Sequence, residues 1–129
     1  MKPLRVIRIA AGLRAAIGLA LTFKTTDVLR RTVRDAQPTG PLFVFAQTVG
    51  IRDLIFGLGA LIESFEDPDR VDRWVWFWLA NELADVVAGA LAARHVGRKG
   101  AIASAAAPLP FIAADVWALR AHRMSARAV

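Results

Sequence analysis

Residues 50–59 of the chain read Gly-Ile-Arg-Asp-Leu-Ile-Phe-Gly-Leu-Gly, a run that sets two opposite charges among small and apolar residues. Arg52 and Asp53 lie at the middle of an apolar stretch from Pro41 to about Ile62. This stretch is close to the ~20 residues that a transmembrane helix needs. A charge at the bilayer centre costs at least ~2.5–3.5 kcal/mol, so such residues usually face the interior of a helix bundle. The run therefore predicts a membrane-spanning helix with a buried, charged face.

Three further apolar stretches have a similar length, and they run from about Leu4 to Phe23, from Trp74 to Ala93 and from about Ala101 to Leu119. We therefore predict an all-α fold, an integral membrane four-helix bundle that forms a single domain over residues 1–129. Arg14 interrupts the first stretch, and we expect that stretch to be a retained helix and not a cleaved signal peptide. Pro108 and Pro110 interrupt the last stretch, where we expect a kink or a locally opened backbone.

The connections between the stretches differ in length and charge. The first and longest runs from Lys24 to Gly40, and its segment 26–34 is either an interfacial helix or a solvated loop, two alternatives that stay open. The second, from Ser64 to Arg73, is acidic, and Pro68 between two aspartates indicates a turn. The third, residues 94–100, is short and basic and should join antiparallel neighbours.

The composition supports a membrane location and excludes several kinds of chemistry. The chain is 56% hydrophobic with a mean hydropathy of +0.42, and it contains no cysteine, which excludes disulfides, thiolate catalysis, iron–sulfur clusters and Cys-ligated zinc. His95 and His122 both lie near predicted helix ends, so we expect no cofactor and no histidine-based metal site. Arginine far outnumbers lysine and alanine is abundant, which is typical of GC-rich bacterial genomes.

The net charge of +6 is distributed mostly at the flanks of the apolar stretches. This distribution favours anionic lipid headgroups as the partner and argues against a nucleic acid. We predict a multi-pass protein of the inner (plasma) membrane, with self-association or a membrane partner protein as open alternatives. Orientation is not determined, because both sides carry nearly equal numbers of basic residues, among them Lys2, Arg34 and Arg127. We favour a cytoplasmic location for both termini.

One face of the second stretch carries small residues at helical spacing, namely Ala46, Gly50, Gly57 and Ala60. Small residues allow another helix to approach closely, so this face should point into the bundle. Asp53 belongs to the same face and should point inwards with it. Arg52 lies about 100° around the helix, so its partner must come from another helix.

Charges near the middles of the first three stretches should meet at one depth, because antiparallel spans share a midplane. We predict a buried network whose candidate ligand- or ion-binding residues are Arg14, Arg52, Asp53, Asn81, Glu82 and Asp85. Two arginines face three carboxylates, so at least one acid lacks a countercharge and should hold a proton, a cation or a cationic ligand group. We expect that acid to be Glu82 or Asp85, whereas Asp115 is expected to be solvated or interfacial. No catalytic residue can be assigned.

The element Gly-x-Arg-Asp-x-x-x-Gly-x-Gly over residues 50–59 resembles that of a family of small bacterial four-span membrane proteins classed as a domain of unknown function. The first span from Arg8 to Gly18 and the acidic segment from Asn81 to Asp85 are also similar to that family. The resemblance implies location and architecture and no activity. A weaker similarity to DoxX-like four-helix membrane proteins, some linked to quinone or redox chemistry, lacks any cysteine or mid-span histidine to support it.

Three functional interpretations follow from the network. The favoured one is a small, non-enzymatic membrane protein that binds a small ligand or ion, or acts as an accessory subunit. The second is a proton-coupled transporter or membrane enzyme in which Glu82 or Asp85 accepts a proton. The third is a purely structural membrane partner, in which buried ion pairs only fix helix register. A cavity that reaches Glu82 would favour the first two, and a sealed, fully paired core would favour the third.

Overall fold

A computed structural model describes residues 3–32, 39–106 and 108–126. These residues form the helices α1 (Pro3–Phe23), α2 (Thr25–Thr32), α3 (Gly40–Glu66), α4 (Asp72–Leu91), α5 (Ala93–Ala106) and α6 (Leu109–Ala126), with a short 3-10 helix at Pro68–Arg70. The described ranges contain no β-strand. The predicted all-α class is confirmed.

Three helical segments are long and apolar enough to cross a membrane: Leu4–Phe23, Gly40–Glu66 and Pro68–His95. They correspond to the first three predicted stretches, and each carries its charged residues near the middle. This agreement indicates a membrane protein. Helix α1 begins one residue before the predicted stretch, and α3 continues past the predicted end near Ile62 to Glu66.

The fourth stretch, predicted from about Ala101 to Leu119 with a kink or a locally opened backbone at its prolines, does not form one helix. The structure has two helices here, with α5 ending at Ala106 and α6 beginning at Leu109. Pro108 lies at the break, because proline lacks an N–H and its ring clashes with the carbonyl group four residues earlier. Pro110 is tolerated, since it lies in the first turn of α6. The expected interruption at these prolines is present, and it is a complete break between two helices.

The structure describes the second and third connections and the beginning of the first one. Residues Thr25–Thr32 are helical, whereas Val33 and Arg34 lie outside the described residues, as do Lys2 and Arg127 from the orientation argument. The turn expected around Pro68 is the short 3-10 helix. The predicted third connection, residues 94–100, lies within α5. This helix is interrupted at Gly97, whose φ of 72° lies in the left-handed region that glycine adopts without a Cβ clash.

The small residues of α3 pack directly against α1, as predicted. A Cβ on Gly57 would lie 2.7 Å from the carbonyl oxygen of Ala11, and one on Gly50 would lie 2.8 Å from the backbone nitrogen of Thr22. Gly18 makes the reciprocal approach to the backbone of α3. No side chain larger than hydrogen fits at these contacts, so glycine sets the distance between α1 and α3.

The hydrophobic core occupies one end of the helix bundle. It consists of Ile7, Ala11, Ala60, Val71, Val75, Trp78, Leu79, Ala118 and Leu119. Polar contacts tie the helices together at the same end: Arg8 donates to the hydroxyl and carbonyl oxygens of Ser64, and Asp72 contacts His122 and Arg123. This end is closely packed, and the charged mid-helix residues lie just beyond it.

Candidate functional site

Arg14 connects the middles of three helices. Its Nη2 lies 2.5 Å from Glu82 Oε1 on α4, and its Nη1 lies 3.3 Å from Asp53 Oδ1 on α3. The small-residue face of α3 turns Asp53 towards α1, which is the reason that the two side chains meet. One guanidinium group therefore neutralises parts of two carboxylates from different helices.

Arg52 continues the same network on the other side of Asp53. Its two terminal nitrogens each donate to one oxygen of Asp85 on α4, both at 3.2 Å, and its Nε lies 3.5 Å from Asp53 Oδ1. The predicted partner of Arg52 on another helix is confirmed as Asp85. Acids and arginines alternate along the resulting chain, which runs in the order Glu82, Arg14, Asp53, Arg52 and Asp85.

Trp78 forms the wall of the site next to Arg14. Its ring lies 5.0 Å from the guanidinium carbon of Arg14, and its Nε1 donates to the carbonyl oxygen of Phe56 at 3.3 Å. The residue is buried, so its role is packing within the bundle and not anchoring at the membrane interface. The hydrogen bond fixes the indole ring and thereby the position that Arg14 can occupy.

The network is more buried at one end than at the other. The side chains of Arg14 and Glu82 are 10% and 9% exposed, whereas those of Arg52 and Asp85 are 28% and 39% exposed. Ion pairs at the buried end are poorly screened, and the loss of either partner there leaves an uncompensated charge. The Arg52–Asp85 pair borders more open space.

A cavity of about 490 Å³ lies against this network. The charged residues that line it are Arg14, Arg52, Asp53, Glu82, Asp85 and Asp115. Every charged member of the predicted site therefore borders one space. The remaining wall is mostly apolar and includes Ala10, Val49 and Pro108.

The cavity is not sealed on the side formed by α1 and α6. Leu13 and Ile17 of α1 and Phe111 of α6 line the cavity and are 60%, 48% and 53% exposed. Ala114 of α6 also lines it and is exposed. These four residues, called the rim below, are apolar, so a molecule that passes between them would meet no charge before it reaches the network.

Asp115 is part of this cavity, and the expectation that it is solvated or interfacial is wrong. The residue is 5% exposed, and its Oδ2 has no hydrogen-bond partner within the described ranges. Asp115 lies in α6, beyond the break at Pro108, so its depth does not follow from a residue count along one straight helix. The sequence signal that could have identified it is a single acid within the apolar run of α6.

Both acids that the sequence suggested as unpaired have an arginine partner in the structure. Glu82 and Asp85 each accept hydrogen bonds from an arginine, so neither is the unpaired acid that the sequence suggested. Asn81, expected to assist the network, does not line the cavity, and its buried Nδ2 finds no hydrogen-bond partner in the described part of the chain. Across residues 3–32, 39–106 and 108–126, no group of three or more His, Cys, Asp or Glu side chains could hold a metal ion.

The comparisons with known proteins add no assignment to this geometry. No protein-family model matches the chain, and the searches of curated proteins and of solved structures return no match. The resemblance to a four-span family accordingly stays a prediction. The functional argument therefore depends on the cavity, its charges and its apolar rim.

Proposed function

We propose that the chain is a multi-pass protein of the inner (plasma) membrane that binds a small membrane-soluble molecule in its midplane cavity. The observation that carries this proposal is the cavity of about 490 Å³, which borders every charged residue of the network. Its volume falls within the ~300–1,000 Å³ of small-molecule sites, and its apolar wall with a few convergent polar groups is the composition such sites have.

The rim supports entry from the bilayer and not from water. Leu13 and Ile17 are exposed apolar residues near the middle of α1, where hydrocarbon would surround them, and Phe111 is an exposed apolar residue in the first turn of α6. A ligand dissolved in the lipid would pass this rim without leaving an apolar environment. A polar solute would have to lose its hydration first.

The paired state of the network favours binding over the two alternative functions. A purely structural network predicts a sealed core, and an open cavity argues against it. A proton-accepting role for Glu82 or Asp85 requires a free carboxylate, whereas an arginine holds each of them. The arginines and acids thus form a preorganised polar wall for a bound molecule.

The broken fourth stretch fits the same proposal. We propose that α1, α3 and α4 each cross the membrane and that α5 and α6 together make a fourth, interrupted passage, the arrangement of the four-span family that the sequence resembles. Backbone that leaves helical geometry at membrane depth is tolerated where it lines a cavity. Pro108, at the break, lines this one.

The test uses the four tryptophans of the protein in lipid nanodiscs. A neutral, membrane-soluble bromoalkyl alcohol is titrated, because bromine quenches indole fluorescence on contact. Trp78 lines the cavity, whereas Trp76 and Trp117 are exposed at 48% and 52%. Binding predicts a saturable quenching component that the variant Trp78→Phe lacks, above the linear quenching that lipid partitioning produces.

A pair of matched variants controls for partitioning. Ala114→Phe should narrow the rim and weaken the saturable component severalfold. Ala113→Phe adds the same ring on the neighbouring position of α6, which is exposed but does not line the cavity, and should leave that component unchanged. Linear quenching alone in the wild-type protein, at all alcohol concentrations that the nanodisc tolerates, would refute the proposal.

A further inference from the structure

The charges that border the cavity do not balance. Two arginines and four acids line it, so the lining carries a formal charge of −2 when every group is ionised and −1 when one acid is protonated. In a low-dielectric site such an excess attracts positive charge and disfavours an anionic ligand. The sign of the imbalance is the same in either protonation state.

One of the four acids has no cationic partner of its own among the described residues. Asp53, Glu82 and Asp85 each lie within 3.5 Å of an arginine nitrogen, whereas Asp115 forms no ion pair with any side chain in the described ranges. Asp115 is 95% buried, since only 5% of it is exposed, and its Oδ2 lacks a hydrogen-bond partner there. A buried carboxylate without a countercharge is costly, and a bound cation would offset that cost.

The rest of the wall indicates what carries the positive charge. Ala10, Leu13, Ile17, Val49 and Phe111 offer no ligand atom for a bare inorganic ion. They offer apolar surface, which stabilises a bound molecule in proportion to the apolar area that the molecule removes from water. A cation with an apolar body would use both parts of the cavity.

We infer that the ligand is an organic cation, an amine or quaternary ammonium group on an apolar body, and that Asp115 is its counterion in the cavity. This inference rests on the proposed function, and it specifies the ligand class. The apolar body would lie against the rim, and the cationic head would lie between Asp115 and the network. Arg14 and Arg52 would keep the head from the other three acids, since each of those already has a cationic partner.

The experiment compares three probes that differ only in the head group: a bromoalkyl trimethylammonium, the bromoalkyl alcohol and a bromoalkyl sulfonate of the same chain length. Saturable quenching of Trp78 in nanodiscs gives an apparent affinity for each probe, after correction for its partitioning into protein-free nanodiscs. The cation should bind at least about tenfold more tightly than the alcohol, the size expected when a hydrogen bond or contact to a charged group is gained. The sulfonate should bind most weakly.

Variants then test the counterion. Asp115→Asn should reduce the preference for the cation over the alcohol by about tenfold while it leaves binding of the alcohol unchanged. Because the readout is a ratio of two affinities in one protein, a variant that merely folds poorly would lose both probes and not the preference. Asp69→Asn, at an exposed position in the short 3-10 helix, removes the same charge elsewhere and should keep the full preference.

The outcomes separate this inference from the proposed function. If no probe gives saturable quenching, the cavity does not bind small molecules and both proposals fail. If the alcohol and the sulfonate bind as tightly as the cation, the cavity binds ligands but the ligand class is wrong. If Asp115→Asn retains the full preference for the cation, Asp115 is not the counterion. Should Asp115→Asn fail to fold, the comparison of the three probes on the wild-type protein still decides the ligand class.

Discussion

Replacement of Arg14 by leucine should strongly destabilise the fold. The side chain is 10% exposed and pairs with Glu82 at 2.5 Å and with Asp53 at 3.3 Å. Leucine preserves apolar volume but leaves Glu82, itself 9% exposed, as a buried carboxylate without its cation. The loss of one member of a buried ion pair costs ~3–5 kcal/mol, because the remaining charge stays desolvated. Asp53 retains Arg52 at 3.5 Å, so the larger part of the loss comes from Glu82.

A double-mutant cycle of Arg14 and Glu82 tests the predicted loss of stability. Glu82→Leu leaves Arg14 paired with Asp53, so it should cost less than Arg14→Leu, about 1.5–3 kcal/mol for the lost charged hydrogen bond. The double variant removes the orphaned carboxylate together with the arginine. It should therefore be more stable than Arg14→Leu alone. This result requires a coupling energy larger than the loss from Glu82→Leu, at the upper end of the ~0.5–3 kcal/mol found for residues in contact.

The assay is reversible unfolding in mixed micelles, with increasing SDS and tryptophan fluorescence as the signal. Arg98→Leu, at an exposed position of α5, removes the same charge away from the network and should change stability by no more than ~0.5 kcal/mol. A change that small for Arg14→Leu, or single losses that add without coupling, would refute the argument that the pair is buried and interdependent.

Three further predictions test other parts of the structure. Arg52→Leu should lower stability less than Arg14→Leu, because the Asp85 partner of Arg52 is 39% exposed. The double variant Arg52→Asp with Asp85→Arg exchanges the two charges and should recover part of the loss. No loss in thermal stability on Arg52→Leu would show that the pair contributes nothing. Gly57→Ala should destabilise the protein by ~1–3 kcal/mol, because the added methyl group overpacks against Ala11. Gly12→Ala, whose added methyl group meets nothing within 4 Å, should be neutral or should stabilise by up to ~1 kcal/mol. Equal effects of the two substitutions in SDS unfolding would contradict the close α1–α3 contact. The protein should stay with the membrane pellet on carbonate extraction, because three helices have the length and hydropathy of spans, and its release into the supernatant would overturn the membrane assignment.

Much of the fold follows from short-range sequence patterns. Apolar length predicts the three long helices, and the spacing of Gly50 and Gly57 predicts which face of α3 meets α1. Antiparallel helices of similar length share a midplane, which predicts that Arg14 and Glu82 lie at one depth, and the two side chains do meet. These predictions depend on periodicity and length alone.

The region after α4 could not be predicted in the same way. Whether Pro108 kinks a helix or separates two depends on what satisfies the backbone around it, which is a tertiary property. The position of Asp115 depends in turn on that break. The cavity was not predictable either, because a void is set by how far apart helices remain, and the sequence gives reasons for close contact only where small residues line a face.

The glycine contact between α1 and α3 has a consequence for biogenesis. These two helices lie in the first half of the chain, and their contact needs no residue from α4 or α6. They can therefore associate as a hairpin while the second half is still being synthesised, since chains fold from the N-terminus during translation. The hairpin contains Arg14, Arg52 and Asp53 and so carries surplus positive charge at its centre, whereas α4 brings Glu82 and Asp85 with no mid-helix arginine of its own. In the proposed multi-pass topology, the early hairpin would attract the acidic α4 as α4 enters the membrane, and the order of synthesis would set the order of helix insertion.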